Sequence, residues 1–277
     1  MSTTSHRPVL IVGAGPTGLV VAIELARRGI PFHLIDRQLE PPHWSQAIFI
    51  KSRTLEILAA LGLRDRFYAQ GRIVNRVEIY ADTTMMAAYA FAGLDSPFPH
   101  ILSIAEEETI RILTDKLLEL GGTVERGVEF VGLSEEEGRV RARLHGQERG
   151  AYELEASFVV GCDGYHSAIR DAIGDAFDGR DYPELWGVFD TGLAGWTHPR
   201  DTVCAQLEAP IAIPFPLGDH FWRIYFRTET ADPDARSSVV ERLRILAPDA
   251  TLADPGEPQF FHSHSRLARR FRIGRVF

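Results

Sequence analysis

Short apolar runs and amphipathic segments alternate near the start of the chain. Val9–Val12 is wholly apolar, which is typical of a strand buried on both faces of a parallel sheet. Apolar residues then recur at helical spacing as far as Gly29, a natural end for a helix. Phe32–Ile35 is a second apolar run that leads into Asp36. This order predicts the strand, helix and strand that open a nucleotide-binding α/β unit.

The spacing of apolar residues that is typical of helices, and the spacing that is typical of strands, locate elements farther along the chain. Helices are predicted at Thr54–Leu61, at Glu106–Leu120, after Ser167, and at Ser237–Leu246. Strands are predicted at Val74–Tyr80, within Val124–Leu144 around a turn at residues 137–138, and at Phe158–Gly161, Val203–Leu207 and Trp222–Phe226. Residues 41–50 should be irregular because two prolines stand at their start, and residues 82–100 fit neither period.

The pattern changes character at about residue 175. Prolines separate short apolar runs from there on, which indicates antiparallel β structure. We therefore predict an α/β fold, with a parallel Rossmann-like nucleotide-binding layer and an inserted, mostly antiparallel β domain.

Composition narrows the class of protein. The 277 residues include 30 basic and 38 acidic ones, a net charge of -8, which argues against nucleic acid as a partner because phosphate binding needs clustered positive charge. Apolar residues interrupt the basic stretch Arg266–Arg275, which we interpret as a half-solvated helix or strand end.

The longest apolar runs are strand-sized, so no membrane span is predicted. Cys162 and Cys204 show no disulfide or metal spacing, so we predict a cytoplasmic protein without a metal site.

The clearest chemical motif is Gly13-Ala14-Gly15-Pro16-Thr17-Gly18, between the first predicted strand and the first predicted helix. In such a motif the first glycine permits a tight turn, and the second lets the backbone approach a pyrophosphate. The third glycine lets the helix pack closely on the strand. The pyrophosphate then lies at the helix N-terminus, where free N–H groups and the helix dipole favour negative charge.

Asp36 narrows the choice of nucleotide that the site should bind. It lies 18 residues beyond Gly18, near the spacing at which an acid accepts a hydrogen bond from a ribose hydroxyl. A carboxylate there repels a 2′-phosphate, so the site should hold the ADP part of FAD or of NAD, and the motif does not choose between them. Arg37 either faces the phosphates or is an ordinary solvated arginine.

A second segment, Val159–Arg170, reads VVGCDGYHSAIR. It predicts a buried strand, a tight turn and a helix start that Ser167 caps. Cys162, inside the apolar run, is interpreted as a small core residue.

Four segments together resemble the single-component FAD-dependent aromatic-ring hydroxylases, the group that contains the para-hydroxybenzoate, phenol and polyketide hydroxylases. They are the glycine motif, residues 52–63 (SRTLEILAALGL), Val159–Arg170 and residues 264–277 (HSRLARRFRIGRVF). They occur in the family's order and spacing, so the resemblance covers nearly the whole chain.

The resemblance implies roles for individual residues. The glycine motif would line the FAD pyrophosphate and Asp36 the adenosine ribose. Arg53 would reach the FAD phosphates, the backbone of Val131 would touch the adenine, and Asp163 would take part in binding both FAD and NADPH. The FAD-binding domain would comprise residues 1–72, 104–174 and 266–277, and the substrate-binding β domain residues 73–103 and 175–265.

The chain also departs from the family pattern. Glu106 stands at a contact near the flavin where family members often have glutamine or arginine, and Gln46 stands where many have arginine. The chain ends at Phe277, before the family's Gly-Asp-Ala-Ala-His stretch. We therefore expect a chain that is truncated at its C-terminus relative to the family and impaired in activity, in which residues 275–277 begin a buried strand.

The resemblance implies a function. NADPH or NADH would reduce FAD, oxygen would add to give a flavin hydroperoxide, and the distal oxygen would pass to a small phenolic or polyketide-like aromatic substrate. No side chain can be named from the sequence as the catalytic acid or base.

Other readings of the sequence stay open. One alternative is an NAD-dependent dehydrogenase with the same first unit, and another is a non-catalytic nucleotide-binding fragment. A flavin halogenase is disfavoured because its Trp-x-Trp-x-Ile-Pro pattern is missing. His262 and His264 alternate like metal ligands but lack a third partner in the sequence.

Overall fold

The structure is a computed structural model that describes residues 7–43, 46–208, 211–218 and 221–277. The chain forms two compact units. Unit 1 consists of Met1–His43, Thr109–Gly179 and Arg266–Phe277, and unit 2 consists of Trp44–Glu108 and Arg180–Ser265. Both units are discontinuous in sequence, because the chain passes between them four times.

The helices and strands follow one another in a mixed α/β order. The strands are β1 (Val9–Val12), β2 (Phe32–Asp36), β3 (Phe49–Ile50), β4 (Arg72–Val74), β5 (Arg76–Ala81), β6 (Thr84–Ala90), β7 (Ile101–Ser103), β8 (Glu125–Arg126), β9 (Val128–Glu136), β10 (Arg139–Gly146), β11 (Gly150–Ala156), β12 (Phe158–Gly161), β13 (Phe177–Ala194), β14 (Thr202–Gln206), β15 (Ala212–Leu217), β16 (Phe221–Thr228), β17 (Thr251–Ala253) and β18 (Gln259–Ala268). The helices are α1 (Pro16–Arg27), α2 (Ser52–Ala60), α3 (Arg64–Gln70), α4 (Glu106–Glu119), α5 (Ala168–Ala172) and α6 (Arg236–Leu243), with single 3-10 turns at Phe91–Gly93 and Pro233–Ala235.

Unit 1 contains a four-stranded parallel sheet in the order β12-β1-β2-β8. Helix α1 joins β1 to β2, as the first apolar pattern predicts. All four residues of β1 are buried, because this strand has a neighbour on each side and helix α1 or a second sheet on its faces. The Rossmann-like beginning of the chain is therefore confirmed.

The second sheet of unit 1 is an antiparallel meander in the order β11-β10-β9. Side chains alternate along β9 and β10 between buried and exposed positions, so one face is apolar. That face packs on the parallel sheet and forms one core with it, which includes Leu10, Ile35, Phe130, Leu144 and Val159. The turn predicted at residues 137–138 is present, and β11 is an additional strand that the sequence pattern does not predict.

The last residues of the chain extend the parallel sheet. The Val159 amide donates to the Arg275 carbonyl at 3.0 Å, and the Phe277 amide donates to the Val159 carbonyl at 2.9 Å. Val276 pairs parallel with Val159 and is 1% exposed. Residues 275–277 thus lie beside β12, as that prediction places them, but only Val276 is buried: Arg275 is partly exposed and Phe277 is 45% exposed.

Unit 2 is built on an eight-stranded sheet in the order β17-β13-β16-β15-β14-β5-β6, with β18 paired to β13. The neighbours along this order are antiparallel, except that β14 and β5 are parallel. Helix α6 covers one face, where Val239 and Leu243 pack against Phe189, Trp222 and Phe226. The expected mostly antiparallel inserted domain is confirmed.

A small three-stranded sheet, β3-β7-β4, accounts for the largest difference from the predicted boundaries. Phe49 pairs with Ser103 and Ile50 with Leu102, so the expectation of irregular structure at residues 41–50 is wrong at its end. Residues 46–72, which the resemblance assigns to the FAD-binding domain, group with unit 2 in the structure, because β3 and β4 both pair with β7. Residues 104–108 also group with unit 2, and residues 175–179 group with unit 1. A two-residue strand leaves no readable period in the sequence. Within the described residues, no helix is long and apolar enough to cross a membrane.

Candidate nucleotide-binding site

The first glycine of the motif is required by its backbone conformation. Gly13 has a φ of +102°, a region that side chains other than glycine disfavour. Its amide donates to the carbonyl of Ile35 at 2.8 Å. A Cβ on Gly13 would overlap the carbonyl of Cys162. The turn that follows β1 is therefore packed between the ends of β2 and β12.

The second and third glycines differ in what surrounds them. A Cβ on Gly18 would overlap the carbonyl oxygen of Gly13, so this glycine allows α1 to lie against the turn. A Cβ on Gly15 would have no atom within 4 Å. Protein packing therefore requires glycine at positions 13 and 18 but not at position 15, where the residue leaves open space in front of the turn.

Helix α1 begins in that open space. Gly15 is its N-cap, Pro16 occupies the first turn, and within the described residues no side chain caps the helix and none in its first turn is acidic. The residue after Pro16, Thr17, is exposed. The N–H groups and positive dipole end of α1 are thus presented to solvent, the arrangement that binds phosphate groups in proteins.

Asp36 lies at the end of β2 and is tied to the glycine-rich turn. Its Oδ2 accepts a hydrogen bond from the Ala14 amide at 2.7 Å, and its Oδ1 accepts from the Gln38 amide at 2.8 Å. Ala14 is 3% exposed, so its N–H has little access to water. The carboxylate is half-buried and each of its oxygens keeps a second acceptor position. The sequence spacing does not predict this first bond, which gives Asp36 a structural role within the turn.

Asp163 organises the start of α5. Its Oδ1 accepts from the Ser167 hydroxyl at 2.7 Å, and its Oδ2 accepts from the Ile169 amide at 3.1 Å. The Ser167 hydroxyl in turn accepts from the Arg170 amide at 3.0 Å, so the prediction that Ser167 caps this helix is confirmed. The Asp163 backbone also lies against Gly13, which brings the two sequence motifs together.

Cys162, which the sequence places in the core, is only partly buried. Burial, helped by the neighbouring Asp163 carboxylate, raises the pKa of its thiol to about 11. The thiol is therefore protonated at neutral pH and is a poor nucleophile.

Val131 occupies an irregular position in β9. On β10, Arg143 pairs with Gly132 and Leu144 pairs with Phe130, so Val131 lies opposite no residue of β10. A bulged residue leaves its backbone groups outside the ladder. The Val131 side chain is 59% exposed. The identity of residue 131 does not predict the bulge, because a bulge is a property of the paired strands.

The remaining predicted residues lie elsewhere on the surface. Arg37 is exposed beside Asp36 in unit 1. In unit 2, Arg53 lies in the first turn of α2, where its guanidinium bonds Glu56 Oε2 at 2.7 Å and lowers the pKa of that carboxyl. Its side chain is 82% exposed, and such ion pairs hold weakly. Glu106 is the first residue of α4, where an acid interacts favourably with the helix dipole.

A buried cluster of charged groups in unit 2 was missed by sequence reasoning. Arg223 is fully buried and binds Asp190 through two hydrogen bonds of 2.7 and 2.8 Å. It also donates to the Ala47 carbonyl at 3.1 Å, and Glu107 lies 3.9 Å from it. Burial raises the pKa of Glu107. The only signal in the sequence is an arginine inside the apolar strand β16.

The adjacent tyrosine of β16 holds the same backbone segment. Tyr225 donates to the Gln46 carbonyl, and burial raises the pKa of its hydroxyl to about 12. Arg223 and Tyr225 share one face of the strand, and together they fix the backbone at residues 46 and 47.

Two arginines at the basic end of the chain form ion pairs within unit 1. Arg269 bonds Asp178 at 2.9 Å and Arg270 bonds Asp175 at 3.1 Å. In unit 2, His264 Nδ1 bonds Asp181 at 2.6 Å. These pairs are consistent with the interpretation of this stretch as a solvated strand end.

Comparison with known proteins identifies a matching family and several similar proteins. A family model described as FAD binding domain matches residues 6–277. The 12-dehydrotetracycline 5-monooxygenase/anhydrotetracycline 6-monooxygenase of Streptomyces rimosus is 29% identical over 97% of this chain and 56% of its own length. A rifampicin monooxygenase of Rhodococcus hoagii is 35% identical over 97% of this chain and 57% of its own length.

A solved structure shares the fold. The p-nitrophenol 4-monooxygenase of Pseudomonas putida superposes with a TM-score of 0.87 at 21% identity, over 98% of this chain and 71% of that one. The chain spans a little over half the length of each of these two curated relatives.

Proposed function

This chain belongs to the family of FAD binding domains, and on that premise we propose that unit 1 holds the ADP part of FAD on its glycine-rich turn. The observation that carries the proposal is the open space at Gly15 in front of the uncapped N-terminus of α1. The pyrophosphate would accept hydrogen bonds from the first-turn N–H groups there. Family membership favours this reading over an NAD-dependent dehydrogenase.

Asp36 would bind the adenosine ribose through the acceptor positions that its bonds to Ala14 and Gln38 leave open. Its charge disfavours a 2′-phosphate, so NADP should bind this turn more weakly than FAD. Val131 would present its unpaired backbone to the adenine, as its place in the bulge permits. Arg53, Glu106 and Asp163 stay predictions from the resemblance, and Arg37 stays a prediction from its place beside Asp36.

For the whole protein we propose NAD(P)H-dependent hydroxylation of an aromatic substrate, phenolic or polyketide-like, with dioxygen as the other substrate. The relatives act on a tetracycline-type compound and on rifampicin according to their names, and the structural neighbour on a nitrophenol. Bound FAD would supply the redox chemistry, and the protein would place it and exclude competing reactions. We place the protein in the cytoplasm on its cysteine usage alone.

A glycine series tests the nucleotide site. Gly15→Ala should lower the free energy of unfolding by no more than about 1 kcal/mol, because its methyl group meets nothing and only the poorer fit of alanine to the N-cap position counts against it. It should weaken FAD binding by about 10- to 150-fold, because the methyl group would keep the pyrophosphate away from the first-turn N–H groups at the expense of about one charged hydrogen bond. Gly93→Ala is the matched control, since a Cβ there also meets no atom within 4 Å and lies in unit 2. It should change neither quantity.

FAD, NAD and NADP are each titrated into the purified chain by calorimetry, with urea unfolding measured in parallel. We expect FAD to bind most tightly. Tighter binding of NADP than of FAD, or unchanged FAD affinity in a folded Gly15→Ala variant, would refute the assignment.

A further inference from the structure

The face of the main sheet in unit 2 that α6 covers carries a set of polar side chains. The parallel pairing of β5 and β14 places Cys204 beside Glu78 and Gln206 beside Tyr80. Alternate residues of a strand share one face, so these four lie on the same side. Gln206 pairs with Ala212, which belongs to the core under α6. The face is therefore opposite to the one that carries Arg223 and Tyr225.

Three of the side chains in this region converge. A carboxylate oxygen of Glu78, a ring nitrogen of His198 and the Sγ of Cys204 all lie within 4.8 Å of one another. Cys204 is fully buried. His198 comes from the segment between β13 and β14, so three separate stretches of chain contribute. One thiol, one imidazole and one carboxylate make a donor set that zinc binds in proteins.

The carboxylate is already held in a fixed orientation. Arg76 Nε donates to Glu78 Oε1 at 2.7 Å, and the Tyr80 hydroxyl donates to Glu78 Oε2 at 2.7 Å. Each oxygen keeps a second acceptor position for a metal. Outer hydrogen bonds of this kind commonly orient metal ligands. The rings of Trp196 and Tyr80 contact His198, with centroids 5.0 and 5.9 Å away.

A second observation on the same face of the sheet points to a ligand. Gln206 is fully buried, and within the described residues neither Oε1 nor Nε2 of its amide has a hydrogen-bond partner. Buried amides without partners are rare in folded proteins and call for a specific explanation. This amide follows Cys204 by two residues on the same face of β14. A bound ion with its water would give the amide a partner.

We propose that Glu78, His198 and Cys204 bind a zinc ion on this face of the sheet. Gln206 Oε1, or a water that hydrogen-bonds to Gln206, would complete a tetrahedral set. Cys204 would bind as the thiolate and release its proton to solvent on metal binding. The ion would join β5, β14 and the segment that carries His198. The sequence motifs give no sign of such a site because the ligands are far apart in the chain, and the proposal departs from the prediction of no metal site.

Cobalt provides a direct probe. The purified chain, freed of metal with a chelator, is titrated with cobalt(II) under anaerobic conditions while its absorption spectrum is recorded. We expect tetrahedral d–d bands and a thiolate-to-cobalt charge-transfer band that saturate together at one ion per chain and disappear on addition of zinc. Absence of the charge-transfer band in the wild-type chain would overturn the proposal.

The two cysteines provide a matched pair of variants. Cys204→Ala should lose the charge-transfer band, and Cys162→Ala should keep it with unchanged affinity. A charge-transfer band that persists in Cys204→Ala, or one that disappears in Cys162→Ala, would also overturn the proposal. Circular dichroism establishes that each variant is folded.

Further variants keep the test decisive if Cys204→Ala does not fold. His198→Gln should lose the tetrahedral spectrum, and an unchanged spectrum and affinity there would refute the site. Tyr80→Phe removes only an outer hydrogen bond and should weaken cobalt binding by about 10- to 100-fold. The measurement needs no FAD, so its outcome is independent of the nucleotide site.

Discussion

Replacing Asp36 with alanine removes the carboxylate that joins the end of β2 to the glycine-rich turn. The sequence alone assigns this residue to a ribose hydroxyl, so it predicts a loss of FAD affinity and no change in the stability of the free chain. The structure adds a hydrogen bond of 2.7 Å from the Ala14 amide. Asp36→Ala should therefore destabilise the chain even when no nucleotide is present.

The size of the expected loss in unfolding free energy depends on the surroundings of the two amides that donate hydrogen bonds to Asp36. Gln38 is exposed, so its amide can bond to water in the variant. The loss of its hydrogen bond to Asp36 therefore costs little stability. Ala14 is 3% exposed, and its amide would be left without a partner. A hydrogen bond to a charged group contributes about 1.5–3 kcal/mol, and we expect the free energy of unfolding to fall by about that amount.

The assay is urea unfolding of the nucleotide-free chain, followed by circular dichroism, with FAD titration of the folded variant. FAD affinity should also fall by about 10- to 150-fold if a ribose hydroxyl bonds to the same carboxylate. Arg37→Ala, at the exposed neighbouring position, is the control and should change stability by less than about 0.5 kcal/mol. An unfolding free energy in Asp36→Ala equal to that of the wild type would refute the structural role. A fall in stability with unchanged FAD affinity would refute the ribose contact.

Three further predictions concern other polar groups. Asp163→Ala removes the acceptor for the Ser167 hydroxyl and for the α5 backbone, and urea unfolding should show a loss of about 0.5–2 kcal/mol, as for a lost helix cap. Arg223→Met removes the two hydrogen bonds that Arg223 donates to the Asp190 carboxylate, and the same measurement should show a loss of about 3–5 kcal/mol, part of which Asp190→Asn in the same chain restores. Glu107→Gln should raise the free energy of unfolding at neutral pH. Burial raises the pKa of Glu107 in the folded chain, so its contribution to stability is full below the pKa of the unfolded carboxyl and is lost as pH rises through the folded pKa.

Each of these predictions can fail in a distinct way. Unchanged stability of Asp163→Ala would mean that solvent replaces the cap. A double variant at positions 190 and 223 no more stable than Arg223→Met alone would contradict the paired-charge explanation. Stability profiles of wild type and Glu107→Gln that run parallel from acid to neutral pH would show that Glu107 does not titrate differently on folding.

The start of unit 1 was predictable because its determinants are local. β1, the glycine-rich turn, α1 and β2 follow one another without interruption, and each is specified by its own period or by a glycine at a fixed place. The need for glycine at position 13 follows from the backbone conformation of the turn. The capping role of Ser167 was likewise predicted from a few neighbouring residues.

Other features depend on strand pairing between distant parts of the chain. The bulge at Val131 exists only because β9 meets β10 with one extra residue. Residues 46–72 group with unit 2 because β3 and β4 pair with β7. Local periodicity contains no information on which strands become neighbours.

The buried polar clusters show most clearly that local sequence patterns do not reveal which distant residues become neighbours. Arg223 finds Asp190 across a strand pair, and Glu78 meets Cys204 and His198 from segments far apart in sequence. A buried charge or ligand is tolerated only where partners compensate its lost hydration, and those partners are chosen by strand register. The sequence by itself determined the nucleotide-binding turn, because a turn is made by adjacent residues. The tertiary structure alone decided how the buried polar groups are partnered, because sheet register brings them together.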